Sequence, residues 1–254
     1  MSIGDGRHWD RLWRRAQDVT LDGLDLEIWR NLSAHVPFQG RSVLELGCGR
    51  AVLSRLAIDA GAASATLVDS SAEALRVARQ LFAGVQAVEF VQQDLLRYRA
   101  GRQFDIVLSS GLVEHFRGDQ LVQCLRAHAD HARDLVAIIA PTSPHPNAVQ
   151  CRRRRFVEMY GYERPISARR MASLLSQVGL RPLVLRRFFP LYNLGIRWWV
   201  PCTGNGRIAR RLDRWAAKLD SWPIRRGIRD HLIPPLRRFD RILGGLLLAV
   251  ATSA

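Results

Sequence analysis

Lysine is almost missing from this chain: Lys218 is the only one among 38 basic residues, and the others are arginine. Cysteine is scarce too, and Cys48, Cys124, Cys151 and Cys202 are spaced for neither a zinc ligand set nor a disulfide framework. No apolar run approaches the roughly 18 residues that a membrane-spanning helix needs. The longest, Ile242 to Ala254, ends with the chain. The opening MSIGDGRHWDRLW has no apolar signal-peptide core, so the expected compartment is cytoplasmic. What remains is an ordinary globular composition, 48% hydrophobic and 24% charged over 254 residues. It excludes collagen-like, disordered and disulfide-scaffold chains, and it allows one large α/β domain or two small ones.

The acids are unevenly placed. Residues 1–150 carry 16 Arg against 17 Asp and Glu. Residues 151–189 carry 10 Arg against Glu158 and Glu163, and residues 190–254 carry 11 Arg and Lys218 against Asp213, Asp220, Asp230 and Asp240. Each of these later segments contributes +8 to a net charge of +15. A coding bias accounts for Arg in place of Lys, but not for the loss of acids after residue 150. A neutral first half and a basic second half point to an anionic partner: membrane surface, nucleic acid or acidic substrate.

Apolar runs bounded by turn residues recur along the chain. They predict strands at Ser42–Leu46, Ala65–Val68, Val88–Val91, Phe104–Leu108, Leu135–Ala140, Leu183–Phe189 and Gly245–Thr252. Helical spacing falls between them at Arg50–Ala60, Ala72–Phe82, Asp119–His131 and Ser167–Val178. Ser70 or Ser71 can cap the second of these, and Ser167 the last. Such alternation predicts a mainly parallel sheet covered on both faces. Residues 190–241 show no strand alternation. Their mixture of Pro, Arg and Trp reads as an insertion between the last two strands.

The segment VLELGCGRAVLS (43–54) runs a strand into Gly-x-Gly and then a helix, which lets backbone approach a ligand closely. Val52 stands where a nicotinamide fingerprint would have its third glycine. Asp69 ends the second strand, 20 residues after Gly49, where a carboxylate can accept both hydroxyls of a ribose. Asp94 follows the third strand, where it could accept from an adenine amino group. Gly-x-Gly, Asp69, Asp94 and FDIVLSSGLVEHF, in that order, are far more specific than any one of them.

Together they resemble the class I S-adenosylmethionine-dependent methyltransferases, and the branch with the small-molecule enzymes of ubiquinone biosynthesis. The resemblance covers residues 40–140, and more loosely 156–189. It implies an α/β, Rossmann-like class I methyltransferase sheet of seven strands, the last reversed, with helices on both faces and a basic helical insertion before the last strand. It divides the chain into an N-terminal helical cap (1–40), a methyltransferase core (41–189 and 242–254) and a Trp-rich insertion or lid (190–241). The implied cofactor is S-adenosyl-L-methionine. Glu45, Gly47, Cys48 and Gly49 would face its methionine part, Asp69 and Ser70 the ribose, Asp94 and Leu95 the adenine, and the Ser109–Gly111 segment would lie beside the transferable methyl, with Ser109 as its contact. Trp9 and Trp13 resemble the N-terminal helix that closes over the cofactor. With Tyr162, Trp198 and Trp199 they are the expected substrate-side residues.

Glu114 and His115 lie just past the fourth strand, near the expected acceptor. His115 is the candidate base for a hydroxyl proton, with the alternative that the pair only orients its loop. Some quinone-biosynthesis relatives bind a divalent metal through a further acid three residues earlier. Gly111 stands there, so no metal is expected. In the insertion, Arg207, Arg210, Arg211, Arg214 and Lys218 recur at helical spacing, with Ile208, Leu212, Trp215 and Leu219 opposite. That pattern suits a lid over the acceptor, or peripheral contact with an anionic membrane. The Arg152–Arg155 run could bind phosphate or be a solvated face. Nucleic acid is disfavoured as a partner, since Ser109-Ser110-Gly111-Leu112 replaces the Asn/Asp-Pro-Pro-aromatic motif of base methylation. The expected function is methyl transfer to a small, hydrophobic acceptor, at oxygen. A lipid-type acceptor at a membrane, nucleic-acid methylation and a non-catalytic cofactor-binding subunit are the alternatives.

Overall fold

The structure, a computed structural model, describes residues 6–14, 21, 23–145, 147–152, 154–189 and 237–253. Two helices, α1 (Gly6–Trp13) and α2 (Gly23–Ser33), precede the sheet. Then β1 (Ser42–Leu46), α3 (Val52–Asp59), β2 (Ser64–Asp69), α4 (Ala72–Leu81) and β3 (Val88–Gln92) alternate. They are followed by β4 (Phe104–Ser110), a 3-10 turn (Val113–His115), α5 (Gly118–His131) and β5 (Ala132–Pro141). Short helices α6 (Asn147–Gln150) and α7 (Arg154–Tyr160) lead to α8 (Ala168–Gln177) and β6 (Leu180–Phe188). A 3-10 turn (Arg237–Phe239), α9 (Asp240–Leu243) and β7 (Leu246–Ser253) close the described chain.

The seven strands form one sheet in the order β3-β2-β1-β4-β5-β7-β6. The first five run parallel, and β7 is antiparallel to both its neighbours. The strands read as near-continuous apolar runs because both faces are covered. Side chains alternate along a strand, so Val136, Ile138 and Ala140 pack into one core while Ala137 and Ile139 pack into the other. On β7, Leu247 and Ala249 share the first core and Leu246 and Leu248 the second.

The expected strands and main helices all form, with shifted ends. The helix predicted from Arg50 starts at Val52, because Ala51 takes a left-handed φ of 57° to finish the glycine turn. β6 starts at Leu180 rather than Leu183 and carries Pro182 at a register shift against β7. An edge strand tolerates that proline, since the missing N–H breaks no second ladder. Ser71, not Ser70, caps α4, its hydroxyl accepting from the Ala74 amide at 3.1 Å. Ser167 caps α8 in the same way through the Arg170 amide. Most of the 190–241 insertion lies outside the described residues.

Chain reversal of strand order occurs between β1 and β4, the switch point where an open α/β sheet binds ligands. The loops after β1, β2, β3 and β4 all leave at that edge.

Candidate functional site

Those four loops enclose a 150 Å³ cavity. Gly47, Cys48 and Gly49 come from the end of β1, Asp69 and Ser70 from β2, and Gln93, Asp94 and Leu95 from β3. The segment after β4 adds Ser110, Gly111, Leu112, His115 and Phe116, and Trp9 and Trp13 of α1 complete the wall. Most of the residues expected at a cofactor therefore line one space.

The turn is built for backbone access. Gly47 and Gly49 have φ of +63° and +52°, which favour glycine. A Cβ on Gly49 would lie 2.7 Å from the Trp13 ring, and one on Gly47 would lie 2.6 Å from Leu112 Cδ1. Asp69 ties the turn down: one carboxylate oxygen accepts from the Gly49 amide and the other from the Ser71 amide, each at 2.9 Å. Each oxygen keeps a further lone pair, so a diol can still be accepted. Burial raises the Asp69 carboxyl, and the two amides act against that rise. Asp94 accepts from the Leu96 amide at 2.9 Å, which leaves its loop ordered at the cavity rim. Burial, with Asp69 and Glu45 nearby, pushes the Cys48 thiol well up, so it stays protonated and unreactive.

Several expected residues lie elsewhere. Ser109 is fully buried and its hydroxyl donates to His128 Nε2 at 2.9 Å, behind the sheet. The pleat sends neighbouring residues to opposite faces, so Ser110 takes the cavity position instead. Glu45 is absent from this cavity. It lies under α3, where its carboxyl accepts from the Ser54 hydroxyl at 2.5 Å and amide at 3.3 Å, and it lines an adjoining cavity. Tyr162 lines neither space; its ring lies under Arg117 and faces a third cavity. Trp198 and Trp199 are outside the described residues. Gln93, Leu112 and Phe116 are additions without a sequence signal of their own.

His115 is buried, with the Trp9 ring edge-on at 4.9 Å between centroids. Its Nδ1 lies 2.8 Å from the Tyr162 carbonyl oxygen. A carbonyl only accepts, so Nδ1 carries the proton and Nε2 the lone pair, the tautomer a base requires. Burial lowers its pKa to about 4, against the pull of carbonyl hydrogen bonds. Glu114 is buried beside it, and burial together with Glu163 raises its carboxyl well above the usual range. Glu163 was not anticipated, because it arrives from the 161–166 segment. The Arg164 amide donates to the Glu114 carbonyl at 2.9 Å and holds the two segments together. Ligand-type atoms of Glu114, His115 and Glu163 lie within 4.8 Å of one another. The expectation of no metal rested on Gly111, and this second carboxyl comes from another part of the chain.

Residues 43–134 match the family described as a methyltransferase domain. No individually curated protein matches the sequence. Among solved structures, magnesium protoporphyrin IX methyltransferase (ChlM) from Synechocystis PCC 6803, with bound S-adenosylmethionine, is similar at a TM-score of 0.60 and 12% identity, over 100% of this chain and 98% of that one. The 1,6-didemethyltoxoflavin-N1-methyltransferase of Burkholderia thailandensis is similar at 0.60 and 17%, over 99% and 88%. The mitomycin 7-O-methyltransferase MmcR is similar at 0.58 and 16%, over 91% of this chain, which spans 54% of MmcR. The strand order and the reversed β7 are those of the class I methyltransferase fold, and residues 43–134 carry the match to the methyltransferase-domain family.

Proposed function

We propose that the chain methylates a small, hydrophobic acceptor at an oxygen atom. The observation that carries this reading is a second cavity, of 220 Å³, sharing Trp13, Cys48, Ser110 and Gly111 with the first. Its other walls are mostly apolar: Leu24 and Ile28 of α2, Ile139 and Pro141 at the end of β5, and Leu246 of β7. The Asp25–Arg50 ion pair, at 2.9 Å, and the Glu45 carboxyl are its polar side. Apolar walls with few fixed polar groups suit a small organic acceptor. Similar structures support that scale, since their names give magnesium protoporphyrin IX, a mitomycin and a toxoflavin precursor as acceptors. Those names include both oxygen and nitrogen acceptors, so the choice of oxygen rests on His115.

S-adenosylmethionine supplies, when bound, a methyl group on a sulfonium, open to a nucleophile aligned with the C–S bond. Gly47, Gly49, Asp69 and Asp94 provide the positioning, and alignment can contribute on the order of 7–11 kcal/mol. Trp9, Trp13 and Phe116 keep the space dry, which favours a step that neutralises charge. A hydroxyl oxygen becomes a strong acid as it gains a methyl. A base with a pKa of about 4, such as His115, is therefore sufficient to take its proton.

Transfer of labelled methyl from S-adenosylmethionine to hydroxylated small molecules tests this. His115→Ala is expected to lower turnover roughly 100- to 10,000-fold. Cofactor Kd, measured by calorimetry, should stay within about twofold, whereas Asp69→Ala should abolish cofactor binding. An unchanged rate in His115→Ala would remove it as base, and turnover of amines alone would overturn oxygen.

A further inference from the structure

A third cavity, of 660 Å³, lies on the far side of the His115–Tyr162 contact. It is walled by the segment after β5, by α7 and by the start of α8. Ser143 follows Pro141 of the acceptor cavity by two residues, so the two spaces flank the same strand end. Three guanidinium-bearing residues line it: Arg152, Arg164 and Arg170. Each is surface-exposed, and none forms an ion pair among the described residues.

Arg30, Arg41, Arg50, Arg55, Arg76 and Arg133 are all matched with carboxylates. The first 150 residues hold as many acids as arginines, so pairing is easy there. Between 151 and 189 only Glu158 and Glu163 are available. Glu163 is the acid on the cavity wall. Its carboxyl accepts from the Cys151 thiol at 3.6 Å and is buried against Glu114. Burial raises its pKa to about 7, which weakens it as a competitor for the arginines. Arg117, 3.3 Å above the Tyr162 ring, adds positive potential behind the wall.

Resting on the methyltransferase reading above, we propose that this cavity is an oxyanion subsite, in which Arg152, Arg164 and Arg170 hold a phosphate or carboxylate carried by the methyl acceptor. Guanidinium forks match both groups in shape and donate charge-assisted hydrogen bonds to them. Ser143 and Ser167 lie on the same wall as neutral hydroxyl groups. An acceptor with an apolar body and an anionic end would use both kinds of surface along this edge of the sheet. The basic balance of residues 151–189 is then a local recognition charge rather than a general one.

The test titrates the full chain with inorganic phosphate by calorimetry, and the Arg164→Gln/Arg170→Gln double variant in parallel. Wild type should bind phosphate, and the double variant should bind at least tenfold more weakly with an unchanged cofactor Kd and melting temperature. Absence of phosphate binding, or equal binding by both proteins, would overturn the subsite. A second arm uses phosphatidic acid vesicles against phosphatidylcholine vesicles. Displacement of the protein from phosphatidic acid by free phosphate supports the same oxyanion pocket, with a lipid as one source of the group. Vesicle binding that phosphate does not displace would assign the charge to a surface and overturn the cavity. A chain that binds phosphate but not S-adenosylmethionine would fail the methyltransferase reading alone, since the phosphate signal is read independently.

Discussion

His115 has a depressed pKa of about 4, and this sets two consequences of lowering the pH that begin at different points. Its neutral, proton-accepting form is fully present above pH 5, so kcat/KM should be flat from about pH 6 to 8. The acidic limb should fall near pH 4, not near the 6.5 of a free imidazole. Stability begins to fall at a higher pH. The unfolded chain takes up protons near pH 6.5 that folded His115 and His128 refuse until about pH 4. Stability is thus complete above pH 6.5 and is lost as the pH falls towards 4, by up to about 3 kcal/mol for each buried ring. A pH–rate profile taken with melting temperatures at each pH separates the two. A limb near 6.5 with no loss of structure would mean that His115 is not the base. At this scale the sequence was readable where a residue type carries its own chemistry: Gly47, Gly49, Asp69, Asp94 and His115 stand at the cavity. Ser109 was misplaced because Ser109 and Ser110 are chemically alike, and only the pleat decides which one faces the ligand. Glu163 was invisible because its neighbour Glu114 is 49 positions away along the chain.

Between elements, the contact that deserves a measurement is α1 on α4. Asp10 accepts from the Ser71 hydroxyl at 2.6 Å and from the Glu73 amide at 3.3 Å, so an acid sits over the N-terminus of α4. Ser71 still accepts from the Ala74 amide, and one hydroxyl therefore caps the helix and anchors the cover. Arg14 reinforces the dock through Glu73 at 3.3 Å, but on the exposed side, where such a pair is worth little. A carboxylate at a helix N-terminus is worth roughly 0.3–1 kcal/mol, and more when partly buried. Since α1 carries Trp9 and Trp13 over the cavity, that energy should appear in cofactor affinity rather than in global stability. Asp10→Ala is expected to weaken S-adenosylmethionine binding about fivefold with little change in melting temperature, and Asp10→Asn should recover part of it. Equal affinity in all three proteins would remove α1 from the cofactor site. The strands and helices α3, α4, α5 and α8 were legible because apolar periodicity and caps are local. The ends were less so: Ala51 leaves the helix for a left-handed turn, and β5 starts directly out of α5, three residues before its apolar run.

For the molecule as a whole, the sheet does not need the 190–236 segment to hold its last two strands together. β6 and β7 pair from Leu180↔Ser253 to Phe188↔Leu246, and the Gly245 amide donates to the Phe189 carbonyl at 3.1 Å, so the flanks of the insertion meet. Arg187 closes the same corner by donating to the Gly244 carbonyl at 2.9 Å and the Pro144 carbonyl at 2.6 Å. A long connection at such a junction only adds closure entropy, and each halving of its length returns about 0.6 kcal/mol. Replacing residues 190–236 by a short Gly/Ser linker should therefore leave the melting temperature equal or higher and the cofactor Kd within about twofold. If the segment walls the acceptor, methyl transfer to hydrophobic acceptors should nevertheless fall at least tenfold. Full activity in the shortened chain would refute the lid, and loss of cofactor binding would place the segment at the cofactor instead. The expected split, with cofactor affinity kept and transfer lost, follows from where the loops leave the sheet. The cofactor cavity is made from the ends of β1 to β4, whereas β7, which the insertion feeds, reaches only the acceptor cavity through Leu246.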